Sequence, residues 1–240
     1  EVFPAGNRVL VLAAGDQPAA TVWDALSGRE RCTFRGHPLP VRLGRVFPDG
    51  QLAVTGGMDN SFVVWRTDSC EMLHQLRCNR WVVDCTVVAG GAGVATIDSL
   101  GRASIWSART GQWLRGLTQP ARWPIDHFLG LEPISQDDRL IGFNAGGAVI
   151  WNSTTGDVLR FLPGETDWPS GVAVSPGGDM LATCGHGMVT MWDAASAAQL
   201  RRLAEPAADR GGDGSVRSCF VAIGMASALD PHGFGRGVPC

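Results

Sequence analysis

The sequence predicts an all-β fold made of one four-stranded unit that recurs about every 42 residues. Five tryptophans follow one another at intervals of 42, 41, 45 and 41 residues, and each ends a short apolar or β-branched run: Trp23, Trp65, Trp106, Trp151 and Trp192. We call these five the framing tryptophans. A turn built on Pro and Gly precedes three of them by 14 to 17 residues. A fixed period with turn residues at fixed offsets indicates a chain of similar small sheets.

The strands of each unit follow from the turns that separate them. The tight turns span Phe3–Gly6, Phe47–Gly50 and Ser175–Gly178. In each turn, Pro presets φ at the first corner and Gly accepts the corner with positive φ. An apolar strand follows, as in Leu52–Val54, and the strand that carries the framing tryptophan comes next. A last strand lies beyond the tryptophan, for example Val158–Leu162. With the strand before the turn, each period contains four strands.

One repeat carries a specific set of polar residues. Gly36-His37 lies at the junction between an outer and an inner strand, and Thr55 and Asp59 stand ten and six residues before Trp65. This arrangement resembles the WD-repeat family, whose units are four-stranded blades around a central channel. The resemblance implies a hydrogen-bonded tetrad of His37, Thr55, Asp59 and Trp65 inside the second blade. A buried indole, hydroxyl and imidazole each need a partner, and such a network supplies them.

The other repeats depart from the family pattern. Only Trp23 and Trp192 are followed by Asp, and no other Gly-His pair falls at a strand junction. Leu100 and Ala145 stand where the resemblance would place the tetrad Asp of the third and fourth repeats. We therefore expect packing, rather than the polar network, to hold most blades together.

The repeats predict a WD-repeat-like β-propeller segment of five recognisable four-stranded blades plus the start of a sixth, which is an incomplete ring. The blades cover residues 1–203, a polar loop covers 204–214, and residues 215–240 begin a further blade. Because the chain starts within one repeat and stops within another, we expect a segment of a longer protein. Open blade edges would then be covered by remaining blades from the same chain or from a partner.

Composition limits the partners and the compartment. The formal net charge is −3 and the pI is about 5.9, which gives no positive field for a nucleic-acid backbone. No apolar run reaches the length of a membrane span, so we expect no membrane partner. Seven cysteines occur without a C-x-x-C pair, which argues against structural zinc and against a disulfide framework. These features predict reduced cysteines in a cytoplasmic protein.

A second tryptophan series supplies the candidate binding site. Trp81, Trp123 and Trp168 lie 16 or 17 residues beyond framing tryptophans, and Arg80 and Arg122 precede the first two. All three fall where an outer strand hands over to the next inner strand, which the resemblance places on one face near the axis. Trp and Arg dominate protein-binding hot spots, so these five residues form a candidate partner-binding face. The alternative is that each tryptophan packs as a wedge between neighbouring blades.

The sequence lacks common motifs of metal binding and nucleophilic catalysis. The histidines have no metal-ligand spacing, and neither H-E-x-x-H nor G-x-S-x-G is present. We therefore expect no catalytic residue, no metal and no cofactor. The sequence favours a non-enzymatic protein–protein interaction scaffold within a larger multi-protein assembly, with a cytoskeletal or ciliary protein as one setting.

Two other functions stay open. The first is a quinoprotein-type propeller that binds a cofactor or a sugar, because Thr110-Gly111 and Thr155-Gly156 are similar to the Thr-Gly turns of that group. The second is a sensor propeller fused to a signalling ATPase, whose phosphate-binding loop would appear upstream.

Overall fold

The computed structural model describes residues 1–13, 17–78, 80–119, 128–134, 138–144, 147–163, 171–185 and 188–204. These residues form nineteen β-strands and a single 3₁₀ turn at Ala89–Gly91, and they contain no α-helix. The predicted loop beyond Ala204 and the predicted blade start over 215–240 lie outside the described residues.

The strands fall into five successive antiparallel sheets, which we number as blades 1 to 5. The bounds, in chain order, are as follows. Blade 1 contains β1 Arg8–Ala13, β2 Ala19–Asp24 and β3 Glu30–Phe34; blade 2 contains β4 Val41–Val46, β5 Leu52–Gly57, β6 Ser61–Arg66 and β7 Met72–Arg77; blade 3 contains β8 Val82–Val88, β9 Gly93–Asp98, β10 Ala103–Ser107 and β11 Trp113–Gly116; blade 4 contains β12 Phe128–Ile134, β13 Arg139–Asn144, β14 Gly147–Asn152 and β15 Val158–Pro163; blade 5 contains β16 Gly171–Val174, β17 Met180–Gly185, β18 Met188–Asp193 and β19 Gln199–Ala204.

The predicted all-β, propeller-like architecture is confirmed, with one correction at the first blade. Blades 2 to 5 have four strands each, whereas blade 1 has three. An isolated bridge between Val2 and Val9 stands in the place of its inner strand. The inner strands of successive blades lie side by side, and the described part of the chain forms an arc that does not close into a ring.

The framing tryptophans occupy equivalent positions in all five blades. Each lies in the third strand of its sheet, or in the matching β2 of blade 1, and the register to the outer strand shifts at the tryptophan in every case. Such a bulge adds one residue on one strand and increases the local twist. The regular spacing in the sequence therefore corresponds to a regular place in the structure.

The predicted tight turns are also observed. Gly6, Gly50 and Gly178 have φ of 71°, 69° and 70°, and the N–H of each donates to the carbonyl three residues earlier at 2.8 Å. Positive φ is strained for residues with a Cβ, so glycine is the natural residue at this corner. These turns fix the connection between the first two strands of blades 2 and 5 and the start of β1.

A second repeated turn, between the third and fourth strands, is visible only in the structure. The residue five positions after each framing tryptophan has φ between 55° and 86°, and its N–H donates to the carbonyl four residues earlier at 2.8–3.0 Å: Gly28, Cys70, Gly111, Gly156 and Ala197. Three of these are glycines, as the left-handed conformation favours. Cys70 and Ala197 adopt the same conformation despite their side chains.

The hydrophobic core lies between blades rather than within them. Each of four buried clusters joins residues of two successive sheets. Between blades 1 and 2, the ring of Phe34 stacks on Trp65 with centroids 5.0 Å apart and an interplanar angle of 6°. Trp65 and Trp151 are fully buried. Because each blade buries its faces against its neighbours, the blades depend on one another for stability.

Two arginines connect neighbouring blades by donating hydrogen bonds to the tight turns of the next blade. Arg8 of blade 1 donates to the carbonyl of Gly50 at 2.9 Å and to the Thr67 hydroxyl at 3.3 Å. Arg139 of blade 4 donates in the same way to the Gly178 carbonyl of blade 5 at 3.2 Å. In both cases, the carbonyl oxygen of a tight-turn glycine accepts a hydrogen bond from a guanidinium of the preceding blade.

The expectation that the cysteines are unpaired is wrong for two of them. Cys32 of β3 and Cys70 of the turn between β6 and β7 form a disulfide that joins blades 1 and 2, with Cα atoms 6.0 Å apart. The two residues are 38 positions apart in the chain, and only the packing of one blade against the next brings them together.

Within the described ranges, no helix is both long and apolar enough to cross a membrane.

Candidate partner-binding face

The inner strands of blades 2, 3 and 4 line a cavity of about 1230 Å³ on the axial side of the arc. Leu43 and Val83 contribute apolar walls from β4 and β8, and Pro133 contributes one from β12. Charged residues of the same strands also face this space. We call this cavity the channel, and we call the exposed edge around Trp81 the rim. Because Trp81 also lines the cavity, the rim and the channel form one continuous surface.

A cluster of one cation and three carboxylates occupies the channel wall. Arg45 of blade 2 places Nη2 at 3.4 Å from Glu132 Oε1 of blade 4 and at 3.7 Å from Asp84 Oδ1 of blade 3. The other oxygen of Asp84 accepts a hydrogen bond from the Leu131 N–H at 2.8 Å. Glu1 joins from the other side, where its carboxylate accepts the Val46 N–H at 3.2 Å. One guanidinium therefore connects the inner strands of three successive blades.

Burial shapes the ionisation of this cluster. It raises the pKa of Glu132 to about 6, against the opposing effect of Arg45. Burial also raises the pKa of Asp84 and of Glu1. For Arg45, burial lowers the pKa, but the facing carboxylates of Asp84 and Glu132 outweigh that effect and raise it. Desolvation is the largest cause for each carboxylate, and only Glu132 is also affected by the charges of Asp84 and Glu1.

Trp81 lies at the entrance to blade 3 and is 54% exposed. Its backbone carbonyl accepts a hydrogen bond from the Ser99 N–H at 3.1 Å, so the loop is fixed although the ring is exposed. Pro40 has the same place at the entrance to blade 2, where its carbonyl accepts the Met58 N–H at 3.1 Å. Met58 is 39% exposed and lines the same cavity as Trp81. The rim of blades 2 and 3 thus presents an apolar surface next to the charged channel.

The structure describes two of the five residues of the predicted face. Arg80 is exposed directly before Trp81. Arg122, Trp123 and Trp168 lie outside the described residues, so their place relative to Trp81 stays a prediction.

The structure brings three of the four predicted tetrad residues into hydrogen-bonding contact. His37 Nε2 lies 3.0 Å from Thr55 Oγ1, and His37 Nδ1 lies 3.1 Å from Asp59 Oδ2. Asp59 also accepts the N–H and the hydroxyl of Ser61, at 3.1 and 2.9 Å. A Cβ on Gly57 would lie 2.8 Å from both Asp59 Oδ1 and His37 Nδ1, so this glycine leaves room for the pair.

The fourth predicted link, from the Trp65 indole, does not form. Trp65 Nε1 is buried and has no hydrogen-bond partner among the described residues. The indole stacks on Phe34 of the preceding blade, and the Thr55 hydroxyl is engaged by His37. Packing between blades therefore determines the orientation of this ring.

Other blades make the indole–threonine bond without the histidine. Trp106 Nε1 donates to Thr96 Oγ1 at 2.9 Å, and Trp192 Nε1 donates to Thr183 Oγ1 at 2.9 Å. The spacing in the sequence could have predicted these two bonds, because the threonines stand ten and nine residues before their tryptophans. The channel cluster of Glu1, Arg45, Asp84 and Glu132 was missed, since charged residues in inner strands have no common motif.

Among the described residues, no group of three or more His, Cys, Asp or Glu side chains could hold a metal ion. The family model described as WD domain, G-beta repeat, matches residues 28–66 and 156–193. These matches cover most of blade 2 with the end of blade 1, and most of blade 5 with the end of blade 4. Both matched stretches are therefore similar to WD repeats, which is consistent with the family predicted from the sequence. No curated protein matches the chain.

Proposed function

We propose that this chain is a non-enzymatic scaffold that docks a protein or peptide partner on the face around Arg80 and Trp81, within a larger multi-protein assembly. WD repeats generally mediate protein–protein interaction, and domains built from them are typically non-enzymatic. The observation that carries the proposal here is the exposure of Trp81, which is 54% exposed on an anchored loop. Trp and Arg supply much of the binding energy in protein interfaces.

The surroundings of Trp81 support docking over simple packing. A tryptophan that served only as a wedge between blades would be buried, as Trp65 and Trp151 are. Met58 adds an exposed apolar side chain on the neighbouring blade, and the charged channel lies directly beside it. An apolar rim next to partly buried charges offers both an anchor site and polar specificity. Arg122, Trp123 and Trp168 extend this face in the proposal.

The scaffold is further proposed to act in a particular assembly and cellular compartment. The remaining blades that cover the open edges come from the same chain or from a partner, and the assembly is cytoplasmic and of a cytoskeletal or ciliary type. The net charge of −3 gives a nucleic-acid backbone little to bind. The Cys32–Cys70 disulfide is an observation against a cytoplasmic setting, because cytosolic thiols are usually kept reduced. Detergent extraction of cells tests the setting: retention of the chain with the cytoskeleton supports it, and complete release contradicts it.

Substitution of Trp81 is the direct test of the docking face. We expect Trp81→Ala to weaken binding to the natural partner by more than about 1 kcal/mol, or about fivefold in Kd. The partner would be isolated by photo-crosslinking from position 81 in the native cell, and affinities would be measured with the purified pair.

Trp113 provides a matched control for this experiment. It is 57% exposed, similar to Trp81, but it lies on the outer strand β11. Trp113→Ala should leave the Kd unchanged. If Trp81→Ala lowers the melting temperature but binds normally once folded, Trp81 is a packing residue and the docking face is wrong.

A further inference from the structure

A contact between the outer strand of one blade and the turn of the next recurs at the three junctions that join blades 1 to 4. The outer-strand residue nine positions after a framing tryptophan faces the turn residue five positions after the next one. In blades 2 and 3, a Cβ on Gly111 would lie 3.0 Å from His74 Cβ. In blades 3 and 4, a Cβ on Gly156 would lie 3.5 Å from Arg115 Cδ. In blades 1 and 2, the two positions hold the bonded cysteines.

The first junction differs from the next two in what holds it. His74 Nε2 lies 2.7 Å from the Arg109 carbonyl oxygen, and this hydrogen bond fastens blade 2 to blade 3. The Thr118 N–H donates to the Gly156 carbonyl at 2.8 Å, which fastens blade 3 to blade 4. At the first junction, a covalent bond takes the place of these hydrogen bonds.

Cys70 stands at a position that disfavours a side chain. Its φ is 55°, whereas three of the four equivalent positions in other blades hold glycine. A left-handed conformation costs an L-residue stability that glycine would not lose. A cysteine at this corner is therefore unfavourable locally, and the bond to Cys32 is the compensating interaction. We propose that Cys32 and Cys70 form a reversible redox clasp that fastens blade 1 to blade 2.

The clasp closes by thiol–disulfide exchange with a low-molecular-weight disulfide of the glutathione class. One cysteine, as thiolate, attacks a sulfur of that disulfide, forms a mixed disulfide and releases one small thiol. The second cysteine, as thiolate, attacks the mixed disulfide and releases the other small thiol. Both cysteines are oxidised, one small disulfide is reduced to two thiols, and the protons of the cysteines end on those thiols.

Exposure favours this pair over two other cysteines that the structure describes. Cys32 and Cys70 are only partly buried, so a small disulfide can reach them. Burial raises the pKa of the Cys78 thiol to about 11, and it raises the pKa of the fully buried Cys85 as well. Because the thiolate is the reacting form, Cys78 and Cys85 compete poorly for oxidants.

Opening the clasp loosens the outer half of the junction and leaves the inner half intact. Arg8 still donates to Gly50 and Thr67, and Phe34 still stacks on Trp65. The reduced protein therefore keeps its fold, while β3 and the turn before β7 gain freedom. The clasp changes how firmly blade 1 is held and does not depend on partner binding.

The test compares the full chain after equilibration in oxidised and in reduced glutathione. Peptide mapping without reductant should show the Cys32–Cys70 linkage only in the oxidised sample. Reduction should raise hydrogen exchange several-fold in β3 and in the turn at Cys70, with blades 4 and 5 unchanged. The thermal midpoint should fall by on the order of 5–10 °C. If no linkage forms, or if reduction leaves both exchange and melting unchanged, the clasp is wrong.

Variants separate the bond from the fold. Cys32→Ser should give the reduced behaviour in both buffers, and Cys78→Ser should respond to glutathione as the unmodified chain does. Cys70→Gly removes the bond and the unfavourable φ together, so it should melt above the reduced protein and below the oxidised one. A midpoint for Cys70→Gly at or below that of the reduced protein would contradict the unfavourable φ at this corner, and with it the argument that the bond to Cys32 compensates for it.

Discussion

At the scale of single residues, the polar network of blade 2 shows how a buried histidine is accommodated. His37 is 4% exposed, and both ring nitrogens have partners, one in Thr55 and one in Asp59. Asp59 in turn accepts two hydrogen bonds from Ser61. The buried side chains of His37 and Thr55 and the carboxylate of Asp59 thus each regain a partner, which is the condition for burying them at low cost.

Removal of the Asp59 carboxylate should destabilise the fold. Asp59→Ala leaves His37 Nδ1 and the Ser61 N–H without their partner in a site where the Asp59 side chain is 7% exposed. We expect a loss of about 1–3 kcal/mol in the free energy of unfolding, measured by urea denaturation. The matched control is Asp68→Ala, since exposed Asp68 accepts a hydrogen bond from the adjacent Ser69 N–H. Equal effects of the two substitutions would contradict the network.

At the scale of elements, the turn after each framing tryptophan explains the Trp-Asp pair of the family. Asp24 Oδ1 accepts the Leu26 and Ser27 N–H groups, and Asp193 Oδ1 accepts the Ser196 N–H. Asn152 does the same for Thr154 and Thr155. The carboxylate or amide therefore caps the turn locally, and a residue such as Ser107 can replace it, as its bond to the Thr110 N–H shows.

The left-handed residue of these turns gives a prediction for glycine. Gly28→Ala places a methyl group in open space and should cost about 1–2 kcal/mol through φ alone. Gly111→Ala should cost more, because its Cβ would also press on His74 of the neighbouring blade. Gly116→Ala in β11 should be close to neutral, because its Cβ would lie an ordinary 3.9 Å from the Ala103 carbonyl oxygen. Chemical denaturation of the three variants checks this order, and equal costs for Gly28 and Gly111 would contradict the inter-blade contact.

At the scale of the whole molecule, the charged channel couples blades that are distant in sequence. Arg45 meets Asp84 and Glu132, and Asp84 reaches the backbone of blade 4 at Leu131. The packing of inner strands along the axis creates this cluster. Desolvation by burial is the main reason why the pKa values of all three carboxylates rise, and for Glu132 the charges of Asp84 and Glu1 add to it.

The raised pKa of Glu132 predicts a specific dependence of stability on pH. Burial raises it from 4.5 to about 6, so the folded chain binds this proton more tightly than the unfolded chain does. The folded state should therefore gain stability from this group as the pH falls from about 6 towards 4.5. Asp24, Asp179 and Asp193 have lowered pKa values and act in the opposite direction at lower pH.

Glu132→Gln isolates this contribution, because the amide keeps the shape and does not titrate. Thermal midpoints would be measured for both proteins at about pH 7, 6 and 5, which bracket the raised pKa. The difference between the two should shrink as the pH falls, since protonation makes Glu132 neutral as well. A difference that is constant over this range would show that Glu132 titrates normally.

Local chemistry within one period was enough to predict the repeat, the order of the strands and the equivalence of the framing tryptophans. These features depend on turns and on the alternation of apolar residues, and both act between residues that are near in the chain. The contact of His37 with Thr55 and Asp59 was expected from the resemblance to the WD-repeat family, and the structure places these three side chains in contact.

Contacts between blades could be found only once the sheets were packed against one another. The Cys32–Cys70 bond, the Arg45 cluster and the stacking of Trp65 on Phe34 all join different blades. Such contacts depend on how one sheet lies against the next, and the spacing within a single repeat carries no information about that geometry. The Trp65 indole N–H has no partner in the part of the chain that the structure describes, and this has the same origin, because packing between blades sets the orientation of its ring.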